Sequence, residues 1–269
     1  MKGFNIFKDY AKHFALAALL AGVAGCTTSE LENIGGGDST PILISSEISQ
    51  NNATKATQNG FADGDKVGTF IVDWEGDTPG TLKLTGNRAD NLYYTYNEAG
   101  NRWIPSYDVY FKNDHTPVDI YGYYPARTPQ SIEAEAFEVQ KDQSTEATST
   151  SLSGYEKSDF LWAKTSGKSA KDKIIWLSFK HIMAGIRVTL CEGTGFGDNE
   201  WSGLAKSILI QNTKRSATIN LSTGIVTATG ETPATGIIPV KEGEDYRAVL
   251  VPQNVEAGKT LITATVGGY

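Results

Sequence analysis

The sequence predicts an all-β protein built from β-sandwiches, on three observations. Residues 174–190 hold two runs in which apolar residues recur at every second position: Ile175, Leu177 and Phe179, then Ala184, Ile186, Val188 and Leu190. Only an extended strand brings residues i, i+2 and i+4 to one face, so each run is a strand with one buried side. Similar short segments recur along the chain between Gly-, Pro- and Asn-containing turns. No long stretch carries the apolar period of an amphipathic helix, and many short strands without helices point to sandwiches.

The elements follow in order. Lys2, Lys8 and Lys12 precede the apolar run 14–24, and Val23, Ala24 and Gly25 lead into Cys26. A basic segment before an apolar one too short to remain as a spanning helix is a secretory signal. Small residues directly before a cysteine resemble the lipobox of bacterial lipoproteins. That resemblance implies removal of residues 1–25 as a signal peptide and acylation of Cys26. Acyl chains there anchor a protein to a membrane without spanning it. Residues 26–40, with Glu30, Glu32, three consecutive glycines and Asp38, have little to bury and read as a flexible tether.

Residues 41–48 form the first expected strand, with Ile42, Ile44 and Ile48 as apolar positions. The polar stretch 50–60 follows and contains one basic residue, Lys55. Phe61 leads a turn into a strand with Val67, Thr69 and Ile71 on one face. A short strand is expected at 82–84. Residues 93–96 and 102–104 form a hairpin turning at Gly100. The alternating strand 118–124 stops at Pro125, which cannot donate to a ladder. Residues 126–156 are polar and rich in Ser and Thr, and are expected as a long excursion. A strand near 158–163 then precedes the pair at 174–190. Residues 193–203 are the expected joint between a first domain, 41–192, and a second, 193–269. Within the second, strands are expected at 206–211, 217–221, 225–228, 246–251 and 261–266, with Gly224 in the turn between the second and third. The sequence stops directly after its last alternating strand, and a truncated C-terminal strand is expected there.

Composition narrows the function. The formal net charge is -7, and an acidic chain without a basic stripe argues against a nucleic-acid partner. Two cysteines, Cys26 and Cys191, give no disulfide framework, and Cys191 is expected as a buried thiol at a strand end. The three histidines are His13, His115 and His181, and His13 lies in the signal, which leaves little material for a metal site or a triad. His181 is read as a structural residue at the bend between two core strands. Residues 166–169 end like a phosphate-binding loop, but Trp162 stands where the cradle needs its first glycine. The glycines at 193–197 are followed by Asp198 and Glu200, which would repel phosphate, and Asp63 and Asp65 lack the other ligands of a calcium loop. No catalytic residue and no cofactor is assigned. Tyr93, Tyr94, Tyr96 and Trp103 would stack on sugars if exposed, and are otherwise core or cross-strand pairs.

With these residues in view the chain resembles the fimbrillin-like family of Bacteroidia, the subunits of type V pili. The matching pieces are the lipobox at 23–26, then 54–56 (TKA), 61–70 (FADGDKVGTF) and 118–125 (VDIYGYYP). After them come 158–163 (SDFLWA), 177–190 (LSFKHIMAGIRVTL) and 250–253 (LVPQ). The resemblance implies two transthyretin-like β-sandwich domains in tandem and no enzymatic activity. It implies a surface lipoprotein of the outer membrane, a fimbrial subunit or an accessory or tip component acting in adhesion. The expected partners are other fimbrial subunits, the outer membrane through the lipid anchor, and host or bacterial surface ligands. In polymerising members a protease cuts after a basic residue in the loop behind the first strand, and a neighbour's strand fills the vacated groove. Lys55 is the matching position here, where such members usually present Arg. The competing reading is a surface glycan-binding lipoprotein that does not polymerise.

Overall fold

The computed structural model describes residues 40–49, 60–197 and 200–267. Among them the regular structure is nearly all β. In chain order the strands are β1 (Ile44–Ile48), β2 (Lys66–Asp73), β3 (Ala89–Asn97), β4 (Arg102–Pro105), β5 (Val118–Tyr124) and β6 (Glu135–Glu138). A one-turn helix α1 (Gly154–Ser158) leads into β7 (Leu161–Lys168), β8 (Ile175–His181) and β9 (Ala184–Thr189). Then come α2 (Glu200–Gly203), β10 (Lys206–Ile210), β11 (Ser216–Asn220), β12 (Ile225–Thr229), β13 (Val240–Glu242), β14 (Asp245–Leu250) and β15 (Ile262–Val266). No helix among the described residues is long and apolar enough to cross a membrane.

Seven strands form one sheet in the order β1-β8-β7-β5-β2-β3-β4. β1 runs parallel to β8, while the other neighbours in this sheet are antiparallel. The sheet curls until its two edges approach. Ile42 N–H donates to Val109 O at 2.8 Å and Phe111 N–H to Thr40 O at 3.0 Å, which ties the lead-in to β1 against the segment behind β4. Inside this curl lies the first core, with Ile42, Ile44, Leu92, Tyr94, Trp103, Ile120, Leu177 and Phe179 buried.

The opposite face of the same sheet is also covered. Phe70, Tyr121 and Tyr123 point into a second core together with Phe137, Phe160, Ile219, Tyr246 and Ala248. β5 is therefore buried at all seven positions, although its alternation reads as a half-buried strand. The sequence VDIYGYY permits this because both parities carry apolar or aromatic side chains. Close packing of β5 sets its one glycine: a Cβ on Gly122 would stand 3.0 Å from the Phe179 ring.

The second core is roofed by three small sheets, ordered β12-β11-β6, β13-β14-β9 and β10-β15. Two of them draw on both sides of residue 193. β6 pairs with β11 through Ala217↔Phe137, and β9 pairs with β14 through Ala248↔Ile186. Hydrogen-bonded sheets are thus not separated at residue 193. β9 carries Ala184, Ile186 and Val188 on one face, and that face packs on the second core. The chain between β8 and β9 bends at Ile182 and Met183, and there it passes from the large sheet to the smaller one.

Several sequence expectations change. Residues 126–156 are no bare excursion: β6 lies within them, and Ile132, Phe137 and Val139 are buried. No strand forms at 82–84, where the buried Leu82 lies in irregular chain just before a series of bends. In the turn between β3 and β4 the left-handed residue is Asn101, at φ 44, not Gly100. Asparagine tolerates that conformation because its short polar side chain bonds locally, here accepting from the Tyr96 hydroxyl at 2.8 Å. The expected turn at Gly224 forms between β11 and β12, with φ 74. Cys191 is exposed, since it lies beyond β9 in a segment that leaves the sheets.

Candidate functional site

The first strand and the groove beneath it form the candidate site. Ile42 and Ile44 are 1% and 6% exposed and fill the first core, with Ile48 packed at its margin. The third inward position is polar. Ser46 Oγ accepts from Trp103 Nε1–H at 2.9 Å, which satisfies a largely buried indole. On the ladder side, Ile175 N–H donates to Leu43 O and Ser49 N–H to Phe179 O, both at 2.8 Å. The Ser178 hydroxyl donates to Glu47 at 2.6 Å on the outer surface. β1 is thus an edge strand, paired to one neighbour and inserted by its side chains. On and just before the same two strands, Leu43, Ile174 and Trp176 are 49%, 53% and 56% exposed.

Cys26 and Lys55 both lie outside the described residues. His181 has a partner that sequence inspection missed: its Nδ1 lies 2.8 Å from Asp159 Oδ2, with side chains 7% and 0% exposed. Asp159 also caps the end of α1. The pair ties α1 to the end of β8, which gives the imidazole a structural partner.

The glycine of the 166–169 segment belongs to β7. Gly167 N–H donates to the buried carboxylate of Asp119 at 3.0 Å, as Trp74 Nε1–H does at 2.6 Å. A strand braced in this way is not a phosphate cradle. Asp63 and Asp65 brace a turn instead of holding a cation. Asp65 accepts from Ala62 N–H at 2.8 Å and from the Tyr124 hydroxyl at 3.1 Å, and Asp63 accepts from Glu98 N–H at 3.0 Å. Burial raises the Asp65 carboxyl above its ordinary range. No group of three or more His, Cys, Asp or Glu that could hold a metal ion occurs among the described residues.

The four aromatics considered for sugar stacking do not form a platform. Tyr94 and Trp103 are buried in the first core. Tyr93 is half-buried and donates to Arg127 O, and Tyr96 lies tilted against Trp103 with ring centroids 5.2 Å apart. Two features had weaker sequence signals. Ser46 interrupts the apolar parity of residues 42, 44 and 48, which marks an inward polar position. Arg127 sits in a segment without periodicity and gave no local signal.

Comparison with known proteins fits this architecture. A model of the family described as fimbrillin-like matches residues 54–269. No curated protein matches. Among solved structures, a candidate cell adhesion protein from Bacteroides uniformis is 22% identical, with 84% of this chain and 78% of that chain covered and a TM-score of 0.57. A candidate cell adhesion protein from Bacteroides ovatus is 17% identical, with 86% and 84% covered and a TM-score of 0.62. A fimbrial protein from Bacteroides ovatus is 16% identical, with 86% of this chain but 45% of that chain covered and a TM-score of 0.50. At these identities the likeness is one of fold. The family match spans most of the sequence and takes in every described strand after β1, and on it the chain belongs to the fimbrillin-like family.

Proposed function

We propose that this protein is a surface fimbrial subunit, or an accessory or tip component, that acts in adhesion and joins its neighbours by exchange of an edge strand. One observation carries the reading. β1 is an edge strand on β8; with its lead-in it lends Ile42 and Ile44 to the first core, and it precedes the segment holding Lys55. Cleavage after Lys55 would free the chain N-terminal to it, β1 included. The vacated edge of β8 would then present unpaired N–H and C=O groups above an apolar groove, which is a template for strand addition. Each buried isoleucine lost contributes on the order of 1.5–3 kcal/mol, so an incoming strand with matching side chains has a substantial driving force. Cys26 is the proposed acylation site and holds the protein in the outer membrane until release. The role is structural and requires no cofactor.

N-terminal sequencing of protein from the cell surface tests the cleavage. A mature start at Ala56, lost in Lys55→Gln, together with heat-sensitive ladders in unheated outer-membrane extracts, is the expected result. A single start at Cys26 and a single monomer band would overturn strand exchange and leave the non-polymerising, glycan-binding lipoprotein. Mass spectrometry of the N-terminal peptide tests acylation of Cys26 separately: an unmodified cysteine removes the anchor.

A further inference from the structure

A cleft of about 470 Å³ opens over the sheet of β6, β11 and β12, beside the segment that leaves β5. Arg127 lines it and is held firmly. Its carbonyl oxygen accepts from the Tyr93 hydroxyl at 2.9 Å, the Tyr123 hydroxyl at 2.8 Å and Asn91 Nδ2 at 2.9 Å. Its guanidinium lies over the rings of Phe137 and Phe160, 4.9 and 5.3 Å from their centroids. The only hydrogen bond of that guanidinium among the described residues is a long one, Nη1 to Ala136 O at 3.4 Å, and the buried Nε has no partner.

The acids nearby spend their hydrogen bonds elsewhere, although the Glu135 carboxylate acts on the Arg127 guanidinium through space. Glu138, on the cleft wall, pairs with Arg215 at 3.2 Å. Glu135 accepts from Gln130 N–H at 2.7 Å and from Ser131 N–H at 3.4 Å. Lys157, at the end of α1, lines the same cleft and has no ion-pair partner among the described residues. A mostly buried guanidinium with N–H groups left over is costly unless an anion completes it. The rest of the wall includes Gln140, Ser216, Thr218 and Thr229, an amide and three hydroxyls.

We infer that this cleft binds a carboxylate-bearing sugar of the uronic or sialic acid type. The carboxylate meets Arg127 and Lys157, and the ring hydroxyls meet Ser216, Thr218, Thr229 and Gln140. The planar fork of arginine fits a carboxylate, and its stacking on two rings holds that fork in place before the ligand arrives. The volume suits one or two sugar rings. No residue of β1 or β8 lines the cleft, so the site goes beyond the strand-exchange reading and does not depend on it.

Calorimetric titration of the full chain with N-acetylneuraminic acid and with D-glucuronic acid tests this, with their methyl esters, D-glucose and sodium acetate as controls. At least one acid sugar is expected to bind, with its ester about tenfold weaker, as loss of a charge-assisted contact implies. Arg127→Lys and Lys157→Ala should each weaken binding about tenfold. Lys157→Ala alone suffices if the arginine variant misfolds. Thr218→Val should weaken the sugar and leave acetate unchanged. The inference is overturned if neither acid sugar binds, if the ester binds as well as the acid, or if acetate binds as tightly as the sugar. It is overturned equally if Lys157→Ala binds like the parent chain.

Discussion

The two hydrophobic cores are assembled in different ways. The first, inside the curl of the large sheet, takes Ile42 and Ile44 from an edge strand and its lead-in, held by one parallel ladder and a short bridge to residues 109–111. The second is shared by the back of that sheet and three smaller sheets, and its strands come from distant parts of the chain. A core completed by one edge strand can open when that strand leaves. A core cross-linked by β6 on β11 and β9 on β14 opens only when several ladders separate. On the proposed reading, exchange belongs to the first core and permanence to the second, and five measurements test that contrast.

The largest effect is expected in the second core. Phe160 is fully buried and stacks on Tyr123, with centroids 5.9 Å apart, and meets Phe137 edge-on at 5.3 Å. Phe160→Ala should cost about 3–5 kcal/mol in urea unfolding and lower the whole transition. In the first core, Ile44→Ala should cost about 2–4 kcal/mol. Its signature should be local, with faster amide exchange in β1 while β5 stays protected. Uniformly faster exchange would deny that β1 opens by itself.

Gly68→Ala probes the sheet the two cores share. A Cβ there would lie 2.3 Å from the Tyr123 ring, so overpacking should cost about 1–3 kcal/mol. An unchanged unfolding midpoint would show that Tyr123 is free to move. Ser46→Ala tests the polar contact in the groove. It leaves the Trp103 indole N–H without its acceptor and should cost about 1–2 kcal/mol. Combined with Trp103→Phe, the two losses should sum to less than their separate values, and an additive double variant would show that the contact contributes nothing.

The smallest effect concerns acid. Burial raises the Asp65 carboxyl, so the folded chain holds that proton to higher pH than the unfolded chain does. The stability this group contributes is therefore complete below its unfolded pKa and is lost as pH rises through its folded one. Compared with Asp65→Asn across the acid range, the parent chain should lose stability in that window as pH rises. A difference independent of pH would contradict the assignment.

Much of the fold was legible where periodicity is strong. Ile175, Leu177 and Phe179 face inward as their spacing predicts, and β10, β11, β12, β14 and β15 lie close to their expected positions. β6 was not legible, because a four-residue strand of sequence EAFE in a polar stretch carries too little pattern. The partner of His181 was hidden for another reason: Asp159 precedes it by 22 residues and meets it only when β7 and β8 pair. Within the candidate site, the inward isoleucines of β1 were plain from their spacing. The polar contact between Ser46 and Trp103 was not, since it joins the two edges of a curled sheet.

The amino-acid sequence by itself determined which segments extend, which face of most strands is apolar and where the chain turns. These follow from side-chain period, β-branching and turn residues, all of them local properties. Tertiary structure alone decided that β1 lies parallel on β8, that β5 is buried on both faces and that β9 joins β14. It also brought Arg127 onto Phe137 and Phe160 at the edge of a cleft. The reason is that alternation fixes the face of a strand and says nothing of its neighbour. Neighbours are chosen by which long-range pairings bury the most apolar surface after the cost of closing the loops between them.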